Sequence, residues 1–124
     1  MHRPKSYRQR DVVLAKFPFQ DEKNKEKTGY KIRPVLFISN GKLNPVREYL
    51  CIPIFTDPVI IDGIIQNEFC MVLPTGQLSR PLRTESWLRL NKTYSLNKSE
   101  IHKKISRLTP DYFKLVIEKL STLL

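Results

Sequence analysis

Arg33, Thr56 and Asp57 are the side chains from which chemistry can first be built. Arg33 stands in Lys31-Ile32-Arg33-Pro34-Val35-Leu36-Phe37-Ile38-Ser39-Asn40, a run of β-branched and aromatic residues entered through an Arg-Pro pair. Proline holds its own φ and pushes its predecessor towards extended backbone, so the spacing predicts a strand over about 33–39 with Arg33 at its mouth. From a strand mouth a permanent cation with five N–H donors can be aimed at a ligand. Thr56 and Asp57 close another apolar run, Glu48 to Phe55, and set a hydroxyl and a carboxylate at a second strand end. A guanidinium can hold two oxygens of one phosphate, and a threonine hydroxyl can bond the same group. With a pKa above about 12, arginine stabilises charge and does not carry protons. The proton acceptor therefore stays open, and an ordinary ion pair with a strand-end carboxylate is the structural alternative for Arg33.

Other chemistries are discounted by what the chain lacks. It has no phosphate-cradling glycine loop, no nucleophile elbow and no HExxH, and its four glycines could not build such loops. Of two histidines, His2 lies in a basic N-terminus and His102 beside Lys103-Lys104, so both read as surface residues. Cys51 and Cys70 occupy separate apolar runs and read as reduced, buried thiols. No cofactor or metal is expected. No apolar run is long enough to cross a membrane, which points to a cytoplasmic protein.

Charge narrows the partner. Lys and Arg number 22 against 12 Asp and Glu, a net charge of +10, which favours a polyanion or an acidic protein segment. The charge is segregated: residues 51–75 contain no Lys or Arg, residues 76–107 carry eight against two acids, and the arm 1–10 carries four against none. One basic face is the reading.

The positioning elements follow from pattern. Asp11 to Phe17 reads as a first strand, followed by a long polar hairpin loop over about 20–30 with Phe19 at its base, either a stacking platform or a core cap. Pro53 inside the third strand places that strand at an edge or bulge. The 58–67 segment is more apolar than a free loop and is expected to pack over the domain or into a partner subunit. Residues 68–73 read as a fourth strand, and 85–90 with 93–96 as one or two further short strands, with Trp87, Leu88 and Leu90 in the core. Thr109 as N-cap, Pro110 at the first position and Asp111 start a C-terminal helix with a Phe113, Val116, Leu120, Leu123 stripe. Tyr112, Leu115, Ile117 and Leu124 widen that stripe beyond what one small sheet covers, so a second partner is expected. The 124 residues form one domain: mainly β, a strongly bent antiparallel sheet or barrel with a C-terminal α-helix.

Taken in order, Asp11-Val12-Val13-Leu14-Ala15-Lys16-Phe17-Pro18-Phe19, then Lys31 to Ser39, then Ile52-Pro53-Ile54-Phe55-Thr56, then Glu85-Ser86-Trp87-Leu88-Arg89-Leu90 and the closing helix, the chain resembles the MazF/PemK family of type II toxin–antitoxin modules from about residue 10 to 124. The resemblance implies a small SH3-like antiparallel β-barrel of the MazF/PemK/CcdB-like kind and a homodimer. It implies metal-independent cleavage of single-stranded RNA at short sequences, and neutralisation by an acidic antitoxin. Carried over by position, Arg33 and Thr56 would be catalytic. Phe19, Lys31, Gln77, Arg80, Arg83 and Arg89 would line the RNA path. Three departures stand out: Arg10-Asp11 where the family opens with Gly-Asp, Asp57 where serine often follows the threonine, and Asn91 where some relatives carry an acid. A carboxylate at Asp57 could act as a proton acceptor, in place of the acid missing at position 91, or could repel a phosphate. The alternatives are a catalytically silent RNA- or antitoxin-binding module on the same fold, and a gyrase-directed toxin.

Overall fold

A computed structural model describes residues 7–20, 28–39 and 48–124, with the side chains of Phe19, Gln20 and Thr28 left aside. Its strands run β1 (Asp11–Gln20), β2 (Thr28–Phe37), β3 (Glu48–Phe55), β4 (Ile60–Ile61), β5 (Ile64–Ile65), β6 (Cys70–Leu73), β7 (Ser86–Arg89), β8 (Tyr94–Asn97) and β9 (Ile101–Arg107), before helix α1 (Pro110–Ser121). The main sheet is antiparallel in the order β6-β7-β3-β2-β1-β9, with β8 also on β3. Its outer strands are not laddered together. Among the described residues one isolated bridge, Leu78 to Leu108, links the segments after β6 and β9, so the sheet is not closed and the expected barrel is not confirmed.

Strand β3 is the centre of the sheet and not its edge, contrary to the reading of Pro53. It pairs β8 through Glu48–Cys51 and β7 through Ile54–Phe55, both on the side away from β2. Pro53 falls in the gap between those two ladders, where a missing N–H costs no bond. Pro34 follows the same logic. It sits within β2, but the β2–β3 ladder covers only Val35 to Phe37, so Pro34 lies just before that ladder begins. Arg33 is thus mid-strand opposite Ala15, at the end of one ladder and not at the start of the strand.

Both faces of the sheet are buried, which explains the unbroken apolar runs. Val12, Leu36, Ile52 and Ile54 lie in the cluster under α1, where Val116 is fully buried and Tyr112, Phe113, Leu120 and Leu123 pack alongside. Val13, Val35, Phe37 and Cys51 face the other way, with Tyr7, Tyr49 and Leu96. Successive residues alternate faces because a strand repeats every two residues. Two register shifts on β1 against β9 help bend the sheet around its contents.

The helix starts where expected, but Thr109 does not cap it with its side chain. Its hydroxyl instead donates to Gln77 Oε1 at 2.6 Å, tying the 75–77 turn to the helix start. Tyr112 donates to the Val72 carbonyl and Lys119 to the Cys70 carbonyl. Leu115, Ile117 and Leu124 stay exposed, the surplus width read in the stripe. The 58–67 segment is a hairpin: Asp62 and Gly63 take φ of 51° and 77°, the paired left-handed geometry of a tight two-residue turn. Ile60, Ile61, Ile64 and Ile65 are all exposed, so among the described residues the hairpin's isoleucines are not part of the core. Trp87 is half-buried and Leu88 and Leu90 are core. Both cysteines are free and buried, and burial pushes the Cys51 thiol far above its ordinary value. No helix among the described residues is long and apolar enough to cross a membrane.

Candidate nucleic-acid interface

Along β2, the side chains that share a face are Phe37, Val35, Arg33 and Lys31, so the core row ends in cations. The neighbouring strands end the same row in rings. On β1 Val13 and Ala15 lead to Phe17, on β3 Cys51 leads to Phe55, and Tyr94 of β8 packs at the same end. Phe17 meets Phe55 and Tyr94 edge-on, with ring centroids 5.7 and 5.3 Å apart.

Arg33 lies on this aromatic floor. Its guanidinium carbon is 4.1 Å from the Phe55 centroid and 5.7 Å from that of Phe17. No carboxylate pairs with it among the described residues, and its Nε is buried with no hydrogen-bond acceptor. Burial first, then the neighbouring Arg89 charge, lower its pKa, and the Tyr94 phenol acts weakly against them. Burial also raises the Tyr94 phenol, whose O–H donates to the Lys16 carbonyl at 3.3 Å. The ion-pair alternative for Arg33 is not what the described residues show. A desolvated cation with an unused donor is a standing attraction for an anion.

Arg89, from β7, places its guanidinium carbon 4.1 Å from the same Phe55 ring. It also donates from Nε and Nη2 to the Asp57 carbonyl at 3.2 and 3.1 Å, and from Nη2 to the Pro58 carbonyl at 3.4 Å. The turn that carries Thr56 and Asp57 is therefore pinned from β7. Thr56 and Asp57 are both exposed. At this end of the sheet lies a cavity of about 470 Å3, walled mostly by apolar groups such as Leu14, Ile54 and Leu82, with Arg33, Thr56 and Arg83 also in its walls.

The remaining candidates divide. Lys31 is exposed opposite Phe17, and Lys16 sits over the exposed Tyr30 ring at 5.8 Å, extending the mix of cations and rings. Arg80 is exposed, with its backbone fixed by the Ser106 hydroxyl. Gln77 spends its side chain on Thr109 and is not among the cavity walls. The Phe19 side chain lies outside the described residues. Phe17, Phe55 and Tyr94 were not singled out from sequence. Aromatics on alternating strands read as core, and only strand register shows that three of them end one row. No three of His, Cys, Asp and Glu gather among the described residues as a metal cluster.

Residues 8–124 match the family model described as PemK-like, MazF-like toxin of type II toxin–antitoxin system. Among solved structures, the chain is similar to an "Endoribonuclease in complex with its cognate antitoxin from Mycobacterial species", with TM-score 0.66 and 18% identity over 94% of this chain and 93% of that one. At that identity the likeness is one of fold. No curated protein sequence matches.

Proposed function

Because the chain belongs to the PemK-like, MazF-like toxin family, we propose that it is an endoribonuclease toxin that cuts single-stranded RNA without a metal ion. The observation that carries the reading is Arg33, a half-buried cation held on aromatic rings with no carboxylate partner among the described residues. A phosphodiester supplies the missing anion. Nearby rings and cations suit unpaired bases and backbone together, as single-strand binding requires.

In the cleavage step the ribose 2′-oxygen attacks the adjacent phosphorus as its proton leaves, and the bond to the 5′-oxygen breaks. Arg33 and the Thr56 hydroxyl stabilise the charge that gathers on the phosphoryl oxygens. Asp57, exposed beside Thr56 on a turn that Arg89 holds, takes the 2′ proton. The departing 5′-oxygen is protonated by water, leaving a 2′,3′-cyclic phosphate and a 5′-hydroxyl. Lys31, Arg80, Arg83 and Arg89 attract the strand on either side. Phe19 and Gln77 belong to the same path by family position.

An acidic antitoxin segment is the proposed inhibitor, since it would compete for the same cations; the similar mycobacterial structure is described with its cognate antitoxin. The exposed Leu115, Ile117 and Leu124 of the α1 end, with the four hairpin isoleucines, support a homodimer. Such a toxin would act in the cytoplasm, where its RNA is. Incubation with a long single-stranded RNA in EDTA is expected to give discrete fragments with cyclic phosphate ends, and intact RNA across many sequences would overturn the reading. A monomeric mass at micromolar concentration would overturn the dimer alone.

A further inference from the structure

We propose that Phe55 is a positioning residue: its ring holds Arg33 and Arg89 as a pair of guanidiniums and sets the angle at which Arg33 meets the scissile phosphate. The inference rests on the ribonuclease reading above.

The geometry behind it is specific. Two guanidinium carbons lie at the same 4.1 Å from one ring centroid, within stacking distance, and Lys92 Nζ stands 5.8 Å away. Like charges this close repel, and Arg33 has no counter-ion among the described residues to hold it there. The Phe55 face attracts both through its quadrupole, while Phe17 at 5.7 Å adds to the hold on Arg33 and the Asp57 and Pro58 carbonyls to that on Arg89. Phe55 is itself well fixed: it closes β3, pairs with Trp87 across the β3–β7 ladder, and meets the edge of Phe17. Thr56 follows it directly, and Arg89 bonds the carbonyls of the next two residues. One ring therefore links the cation of β2, the cation of β7 and the turn carrying the hydroxyl. A leucine would fill much of the volume without offering a π face.

The test combines one spectroscopic and one kinetic arm on the full chain. Protons of the Arg33 Nε–H group over a ring face resonate upfield. In NMR of labelled protein this shift is expected in the wild type, kept in Phe55→Trp and lost in Phe55→Leu, while circular dichroism shows all three folded. In cleavage of a short RNA, Phe55→Leu is expected to lower kcat on the order of ten- to a hundredfold, as small misplacements of a catalytic group do, with KM moving less than about threefold. Phe55→Trp is expected to recover most of that loss. In an Arg33→Ala background Phe55→Leu is expected to add almost nothing, because the ring acts through the arginine. Equal kcat for Phe55→Leu and wild type, or an unchanged Arg33 resonance, overturns the positioning role and leaves the ribonuclease reading standing. No cleavage by the wild type overturns that reading instead, and the resonance then decides alone whether the ring holds the guanidinium.

Discussion

Arg33 and Arg107 are both strand arginines, half-buried, with an Nε that has no aligned hydrogen-bond acceptor. Their charges are met in opposite ways. Arg107 has the Asp11 carboxylate at 3.5 Å, and Lys104 Nζ approaches the same oxygen at 3.0 Å, a charge contact without hydrogen-bond alignment. The second Asp11 oxygen accepts from the Arg8 amide at 2.9 Å, so the 1%-exposed carboxylate is enclosed by positive groups. Arg33 instead has rings beneath it and another arginine beside it. The first arrangement joins the entry to β1 to β9 and is complete in the folded chain. The second has no anionic partner among the described residues. Cation content alone does not mark a site; the company each cation keeps does.

The two arginines are expected to differ most in what their loss does to activity. Arg33→Ala is expected to reduce cleavage by about 10²–10³-fold, the scale of losing one charge-stabilising donor, while changing stability by less than about 1 kcal/mol. Its stack is lost, but so are the repulsion from Arg89 and the unsatisfied Nε. Rate measurement beside a thermal melt checks both halves. A loss of activity explained by unfolding would return Arg33 to the structural side.

Asp11→Asn is the reverse experiment. The amide keeps the shape and can still accept from the Arg8 amide, but leaves Lys104 and Arg107 without a counter-charge. Breaking a fully buried pair costs about 3–5 kcal/mol, and because both cations are partly exposed the expected loss here is about 2 kcal/mol, or several degrees in Tm. The cleavage rate of the folded fraction should not move. A variant as stable as the wild type would show that this cluster is no stronger than a surface ion pair.

Thr56→Val and Asp57→Asn probe the turn that Arg89 holds. Thr56→Val keeps the shape and removes one hydrogen bond to the phosphoryl group, so a drop of roughly tenfold in kcat is expected. Asp57→Asn removes the proposed proton acceptor, and a loss of about 10²-fold is expected within the range for general bases. Full activity of Asp57→Asn would move the proton to another group while leaving Arg33 in place.

Much of this contrast was only half legible in the chain. The helix was readable because Thr109-Pro110 marks a start and Val116, Leu120 and Leu123 recur at helical spacing. Pro53 misled because a proline marks an edge only if one neighbour runs the whole strand, and β3 changes neighbour at that residue. Arg33 reads as a candidate from its Arg-Pro pair and Thr56 from its strand end, and the fold brings both to the wall of one cavity. Phe55, which touches the guanidiniums of Arg33 and Arg89, looked like one more core aromatic. Its role depends on the register of β2, β3 and β7, which is set by tertiary packing and has no local signature.

Arg10, a third arginine, lies next to Asp11 and carries backbone strain, and the smallest effects are expected there. Its φ is 75°, in the left-handed region, where a side chain costs roughly 1 kcal/mol and glycine costs little. Its Nη1 donates to the Leu108 carbonyl at 3.0 Å, and its own carbonyl accepts from the Leu108 amide at 2.8 Å, so the turn is held against the segment entering α1. Arg10→Ala keeps the strain and loses the side-chain bond, an expected destabilisation of about 1 kcal/mol. Arg10→Gly loses the same bond and relaxes the backbone, but adds freedom to the unfolded chain worth about 0.4–1 kcal/mol, so it is expected within about 0.5 kcal/mol of the alanine variant. Denaturant midpoints of the three proteins separate the terms. Glycine more stable than alanine would show that the left-handed turn outweighs chain entropy, and alanine equal to wild type would show that the guanidinium adds nothing to the turn.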